Sequence, residues 1–221
     1  MTDEQQDSSK TLDHRDDGSA RARLIEAARK LFSEHGLEGT STRDISKAAD
    51  LNISLISYYF GGKEGLYKAV ILDFANQMKL ESEKLLSGVD LQNLDRETFR
   101  KVMRVMIYKM IPMKYSSADM HNLLHREMMA GLPHAREVYE NVFRKILEAI
   151  VGIYETGQKK GFVRKELNPY IVFFSMAHSS DAYFQMSGCQ ISIQSKILKM
   201  PEQLSQYAEQ MYMLFVEGVL I

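Results

Sequence analysis

Apolar residues recur along this chain at three- and four-residue spacings in one segment after another, the period of helices that bury one face. Between residues 21 and 35, Leu24, Ala28, Leu31 and Phe32 share a face, and Gly36 supplies a stop. Over 63–86, Leu66, Val70, Phe74, Met78 and Leu85 predict a longer helix. Residues 88–94 read as a linker. Asp95 then suits the N-cap of a helix carrying Phe99, Val102, Met103, Met106 and Met110, with Pro112 as its end. A shorter helix is expected over 118–130, closed by Gly131 and Pro133. From His134 onward, Tyr139, Phe143, Ile146, Ile150, Ile153 and Gly157 alternate fours and threes in one sustained helix that ends near Lys159–Gly161. Two more helices, each opening at a proline, are predicted over 169–186 and 201–219, with a polar stretch between them. No segment alternates with a strand's period of two, and the expected fold class is all-α.

Residues 42–67, TRDISKAADLNISLISYYFGGKEGLY, break this rhythm with two short helices around a tight turn. Thr42 suits the first cap, and Ile45, Ala48 and Ala49 form a small inner face. Asp50 stands where the chain turns sharply, and Asp tolerates left-handed geometry better than most side chains. Asn52 is a good N-cap for the second helix, in which Ile56 and Phe60 point inward. Its other face offers Ser54, Leu55, Ser57, Tyr58 and Tyr59 without an acidic residue, which suits a groove lined by phosphates. Gly61-Gly62 resets the direction, and Lys63 opens the next helix, whose free N–H groups attract anions. This is the layout of a helix-turn-helix DNA reader. Thr42, Tyr58, Tyr59 and Lys63 are expected on phosphates, and Arg43, Ser54, Leu55 and Ser57 on base edges.

The same residues resemble the TetR/AcrR family of transcriptional regulators. The resemblance rests on Leu31-Phe32 with Gly36, on Thr40-Ser41-Thr42-Arg43-Asp44-Ile45, on Tyr58-Tyr59-Phe60, and on Lys63-Glu64-Gly65-Leu66. The run from Asn52 to Tyr67 is most similar to the CecR-type branch, which has its own C-terminal domain. Asp50 departs from the glycine usual at the turn, and Ser57 from the tyrosine many members carry. Lack of periodicity marks 1–20 as a mobile tail, and the helix pattern gives a three-helix reader (21–66) followed by a helical bundle (67–221), for which the resemblance implies ligand binding and dimerisation. The resemblance also implies a homodimer on a palindromic operator in double-stranded DNA, released by a small hydrophobic effector.

The other helices give these expectations residues. The run Tyr170-Ile171-Val172-Phe173-Phe174 is apolar on every side, extended by Met176, Ala177, Tyr183 and Phe184, so this helix must be covered all round. Paired with the stripe on the last helix it suggests a two-fold seam containing Phe174, His178, Leu204, Met211 and Phe215; ordinary core packing is the alternative. The Met-rich middle of the chain offers an adaptable apolar wall with a few polar groups. Candidate effector contacts are Tyr108, Met113, His121, His125, Arg126, Met129, His178 and Asp181, again with plain packing or a solvated face as the alternative.

Charge and composition narrow the field. The formal net charge is −1, so DNA affinity must come from a local surface. Residues 21–63 carry seven Lys/Arg against five Asp/Glu, while residues 1–20 carry two against six. A single cysteine, Cys189, excludes an internal disulfide. No apolar run reaches the roughly 18 residues of a membrane span, and the N-terminus is too acidic for a signal peptide. A cytoplasmic location without membrane attachment is expected. There is no phosphate-binding loop, dinucleotide fingerprint or nucleophile elbow, which argues against catalysis and any cofactor. His121 and His125, four apart on a helix, leave open a metal-sensing or metal-dependent alternative, although Asn122 replaces the glutamate a zinc-protease motif needs.

Overall fold

The computed structural model describes residues 17–187 and 203–221. Cys189, most of the expected tail, the polar stretch over 188–199 and the proline start at 201 lie outside them. The chain divides into two compact units, Met1–Val70 and Ile71–Ile221.

In the first unit, helix α1 (Asp17–His35) starts inside the segment expected as tail. Leu24, Ala28 and Phe32 are fully buried along it. Thr40 is also buried and its hydroxyl donates to the carbonyls of Leu31 and Gly36, at 3.1 and 2.7 Å. These bonds tie the loop to the end of α1. Helix α2 (Thr42–Ala49) is capped by Ser41 rather than Thr42, because the Ser41 hydroxyl accepts from the Asp44 amide at 3.1 Å. Ile45 and Ala49 face inward as expected, but Ala48 is exposed.

Asp50 adopts the left-handed conformation, φ 51° and ψ 52°. Arg23 reaches across from α1 to donate to the carbonyls of Ala49 and Asp50, at 2.6 and 3.2 Å, which closes the turn from outside. The Asn52 side chain then accepts from the Ser54 amide at 2.9 Å and starts helix α3 (Ser54–Phe60). Gly61 follows at φ 72°, and helix α4 (Lys63–Leu86) begins. A side chain at Gly65 would meet the Phe60 carbonyl oxygen at 1.8 Å, so only glycine lets α4 pass this close to the end of α3. Tyr67 packs edge-on against Phe32 at 5.0 Å, so the first turns of α4 belong to this unit and the division falls beyond the expected 66/67 boundary.

The second unit holds the rest of α4, then α5 (Arg96–Ser116), α6 (Ala118–Met129), α7 (Arg136–Val138), α8 (Arg144–Lys159), α9 (Pro169–Ser187) and α10 (Leu204–Phe215). Asp95 caps α5 through the Thr98 amide at 2.7 Å. Pro112 does not end α5, which runs on to Ser116. Proline removes one backbone bond, but the next turn is anchored by buried Ile111 and Lys114. Between α7 and α8 the helix widens into a π turn, Tyr139–Phe143, so the sustained helix expected from His134 is real but not uniform.

The core gathers Phe99, Met103, Ile107, Ile150, Tyr154, Met176 and Met211. Tyr154 donates to the Phe215 carbonyl at 2.9 Å, and burial pushes its phenol well above the ordinary range. No strand is formed among the described residues; a single antiparallel bridge, Val163 to Leu220, pins the chain end to the loop after α8. The all-α expectation therefore holds, and no helix among the described residues is long and apolar enough to cross a membrane.

Candidate nucleic-acid interface and an apolar cavity

In the first unit, α2 buries Ile45 and α3 buries Ile56, which turns the remaining faces of both short helices outward. Arg43, Ser54 and Ser57 are exposed, Thr42, Leu55 and Tyr59 are half-buried, and Tyr58 is 75% exposed. The rings of Tyr58 and Tyr59 meet edge-on at 4.9 Å, which stiffens both. No acidic residue occurs in α3. Lys63 lies apart from this outward face in one respect: its ammonium donates to the Leu37 carbonyl at 2.8 Å. It also shares a shallow groove with Glu38 and Asp44. Part of its hydrogen-bonding capacity therefore holds the fold.

In the second unit a cavity of about 200 Å³ opens between α4, α5, α6, the π turn, α8 and α9. Its wall is apolar: Met78, Met110, Leu124, Tyr139, Phe143 and Phe174 among others. The π turn supplies two of these side chains; such turns are frequent at functional sites because the extra residue re-aims a helix face. Ionisable groups enter from α5, α6 and α9, and the π turn adds the Tyr139 phenol.

Lys114 is buried and bonds to Asp181 Oδ1 at 2.5 Å and to the Ala177 carbonyl at 2.8 Å. Burial lowers its pKa, with Asp181 opposing. His121 Nδ1 lies 2.9 Å from the Ser117 carbonyl, its ring stands edge-on to Phe74, and burial lowers its pKa. His178 Nδ1 is 3.6 Å from Asp181 Oδ2.

Of the expected effector contacts, the cavity brings together His121, His125, His178 and Asp181. Tyr108 and Met113 line an adjoining depression with Leu85 and Lys109, which shares Met78, Met110, Ile146 and Ile150 with the cavity. Arg126 and Met129 line neither, and Met129 is 77% exposed. Lys114 was missed; as a lysine amid methionines it reads as a surface residue until its distant partner Asp181 is known. The metal alternative finds no support. Nδ1 of His121 is turned to a carbonyl of its own helix, and no group of three metal-ligating side chains forms among the described residues.

The expected seam residues also separate. Phe174 lines the cavity and Met211 is 2% exposed inside the core. Leu204 and Phe215 pack half-buried against that core. His178, beside the cavity, remains half exposed. The outward apolar residues of these helices are instead Tyr170 and Ile171 on α9 and Met213 and Leu214 on α10, the last 64% exposed.

Residues 24–70 match the model of the bacterial regulatory proteins of the tetR family. This segment is a tetR-family regulatory domain. Among curated relatives, a Bacillus subtilis protein named as a probable HTH-type transcriptional regulator, YttP, is 28% identical over 64% of this chain and 66% of its own. The HTH-type transcriptional dual regulator CecR of Shigella flexneri is 31% identical over 56% of this chain and 57% of its own. The chain thus spans no more than about two thirds of these relatives. Among solved structures, the transcriptional regulator FadR of Bacillus subtilis, in complex with stearoyl-CoA, superposes with a TM-score of 0.66 over 90% of this chain and 98% of that one. At 16% identity that likeness speaks to the fold alone. The family model and these relatives describe transcriptional regulators, not enzymes.

Proposed function

We propose that this chain is a dimeric DNA-binding repressor of the TetR family, released from a palindromic operator by a small, mostly apolar effector. The observation that carries the reading is the outward face of α2 and α3. It presents hydroxyls, an open tyrosine and Arg43, with no acid on α3 and with its turn locked by Asp50 and Arg23. Thr42, Tyr58 and Tyr59 are assigned to phosphates. Arg43, Ser54, Leu55 and Ser57 are assigned to base edges, and the ammonium protons of Lys63 not bound to Leu37 to a phosphate.

Two such readers in one dimer read successive major grooves if they stand about 34–36 Å apart. The apolar cavity supports effector binding, and α4 links the two functions in sequence, since it starts at Lys63 and contributes Met78 to the cavity wall. Effector binding that favours a different reader spacing lowers DNA affinity, by roughly 5–150-fold for a coupling of about 1–3 kcal/mol.

The test is titration of palindromic DNA from the chain's own upstream region. The expected result is a salt-dependent complex of two chains per site, weakened in a Tyr58→Ala variant and altered in operator preference in an Arg43→Ala variant, both remaining folded. Binding that ignores sequence, or that neither change affects, defeats the reading.

A further inference from the structure

The cavity and the depression beside it meet at one waist. Both are lined by Met78 on α4, Met110 on α5, and Ile146 and Ile150 on α8, so side chains from three helices bound the junction. Beyond the waist the depression follows one face of α4, because Met78, Ser82, Leu85 and Leu86 recur along its wall at helical spacing. It follows one face of α5 in the same way, through Met106, Met110 and Met113. From Met78 to Leu86 alone that face is about 12 Å long, at about 1.5 Å per residue.

The four residues of the waist differ in stiffness. Ile146 and Ile150 are β-branched and hold one side fixed. Met78 and Met110 are half-buried, and an unbranched thioether changes its packing at little cost. Turning these two side chains aside joins the hollows without shifting a helix. Size favours the joined space. The cavity alone, about 200 Å³, falls below the roughly 300–1,000 Å³ of sites that hold drug-sized molecules. The depression offers about 690 Å³ more, which brings the whole into that range.

Polarity gives the space a direction. Leu85, Leu86, Met106 and Met113 make the depression wall apolar, while Glu81, Lys109 and Ser116 are exposed at its rim. Within the cavity, Lys114 is matched by Asp181 at 2.5 Å and by the Ala177 carbonyl at 2.8 Å. A charge brought in there out of water finds no partner of its own. A polar head therefore stays at the wet rim, and an apolar tail runs inward.

We infer that the cavity and the depression form one site for an elongated ligand, an unbranched hydrocarbon chain with a single polar head. Its tail passes between Met78 and Met110 into the cavity. This rests on the effector reading above and names the chemical class of that effector. A compact ring of equal carbon number fills one hollow and leaves the other to water.

The experiment uses the full chain with hexanol, octanol, decanol and dodecanol, and with cyclododecanol as the compact counterpart of the last. Binding is measured by calorimetry and by the shift in melting temperature at neutral pH. Each added methylene should tighten binding about fourfold, through to dodecanol, at one molecule per chain. Cyclododecanol should bind at least about tenfold more weakly than dodecanol, since it leaves several methylenes unburied. In Met110→Trp, which fills the waist, the gain with length should stop near octanol while hexanol still binds.

A gain that stops at octanol in the unaltered chain, or that continues to dodecanol in a folded Met110→Trp, overturns the inference. Cyclododecanol bound as tightly as dodecanol, or no binding by any probe, overturns it equally. If Met110→Trp does not fold, Ser82→Trp, which narrows the depression from α4, takes its place. Operator release is scored separately. Length-dependent binding of dodecanol without release overturns the effector reading and leaves the ligand class standing. Release by cyclododecanol but not by dodecanol overturns the ligand class and leaves the effector reading standing.

Discussion

At the scale of single residues, the turn of the reader shows how a local cost is met. Asp50 holds φ 51°, a conformation that costs a side chain with a Cβ about 1–2 kcal/mol. Arg23 offsets part of this by binding the carbonyls of Ala49 and Asp50, while its charge contact to the Asp50 carboxylate is longer, at 3.9 Å, and exposed. Asp50→Gly should therefore raise stability by up to about 1 kcal/mol, and Asp50→Ala should lower it by a similar amount. Urea unfolding of the three chains checks this; an Ala variant as stable as the Gly variant would mean the turn is not strained. Lys63 is the second case. Because its ammonium already donates to Leu37, Lys63→Ala should lower the melting temperature as well as reduce the salt slope of DNA binding by about 1. A slope that stays unchanged assigns Lys63 to the fold alone. Arg43→Ala should instead shift preference among operators, by about 1–3 kcal/mol for a lost bidentate base contact, with no change in stability.

Whole elements are held by contacts that cross long stretches of sequence. Arg100 on α5 donates to Glu217 at 2.9 and 2.8 Å, and the Tyr212 hydroxyl donates to the same carboxylate at 2.7 Å. These bonds hold the Glu217 carboxyl below its ordinary range, the Arg100 bond foremost. A carboxyl depressed in the folded state adds stability above its unfolded pKa and loses it as pH falls through the folded value. The α5–α10 clamp should thus weaken as pH drops below about 4.5, and Glu217→Gln should flatten the acid side of the melting-temperature profile. A variant profile parallel to the parent's removes the clamp from the account. The loop after α8 offers a steric counterpart. A Cβ on Gly157 would lie 2.5 Å from Val163 Cγ2 and 2.8 Å from Phe162 Cε2. Gly157→Ala should cost about 1–3 kcal/mol through overpacking, read by denaturant midpoint, although alanine is the better helix former.

For the whole molecule, assembly and switching are the open properties. A two-fold seam built on α9 and α10 must use what those helices leave outside the core. Ile171 is 65% exposed and Leu214 is 64% exposed, whereas Phe174 and Met211 serve the cavity and the core. Ile171→Asp with Leu214→Asp should yield folded monomers with operator affinity steeply reduced, seen by light scattering and circular dichroism. A charge at Met211 should unfold the chain instead, because it would be buried without a partner. Dimers that survive the double change place the seam elsewhere. Effector coupling is reciprocal, so operator DNA must weaken effector binding by the factor with which effector weakens DNA.

What the sequence determined by itself is what short-range chemistry governs. The helix-turn-helix layout, the left-handed Asp50, the Asn52 side-chain bond leading into α3, the cap at Asp95 and the order of helices all depend on residues within a turn or two of each other. Their geometry follows from local hydrogen bonds and from the helical period. The tertiary structure alone decided which apolar residues are core, cavity wall or outer surface. Helical spacing places Tyr108, Met113, His121 and His125 on candidate faces equally well, yet only the two histidines reach the cavity. The π turn at Tyr139–Phe143 rotates the face that follows it, and an unbroken helical period cannot register that rotation. The polar end of the cavity is the clearest instance. Lys114 and Asp181 lie 67 residues apart in sequence and 2.5 Å apart in space. Burial turned an ordinary lysine into the partner that makes the cavity neutral, and burial depends on how distant helices pack.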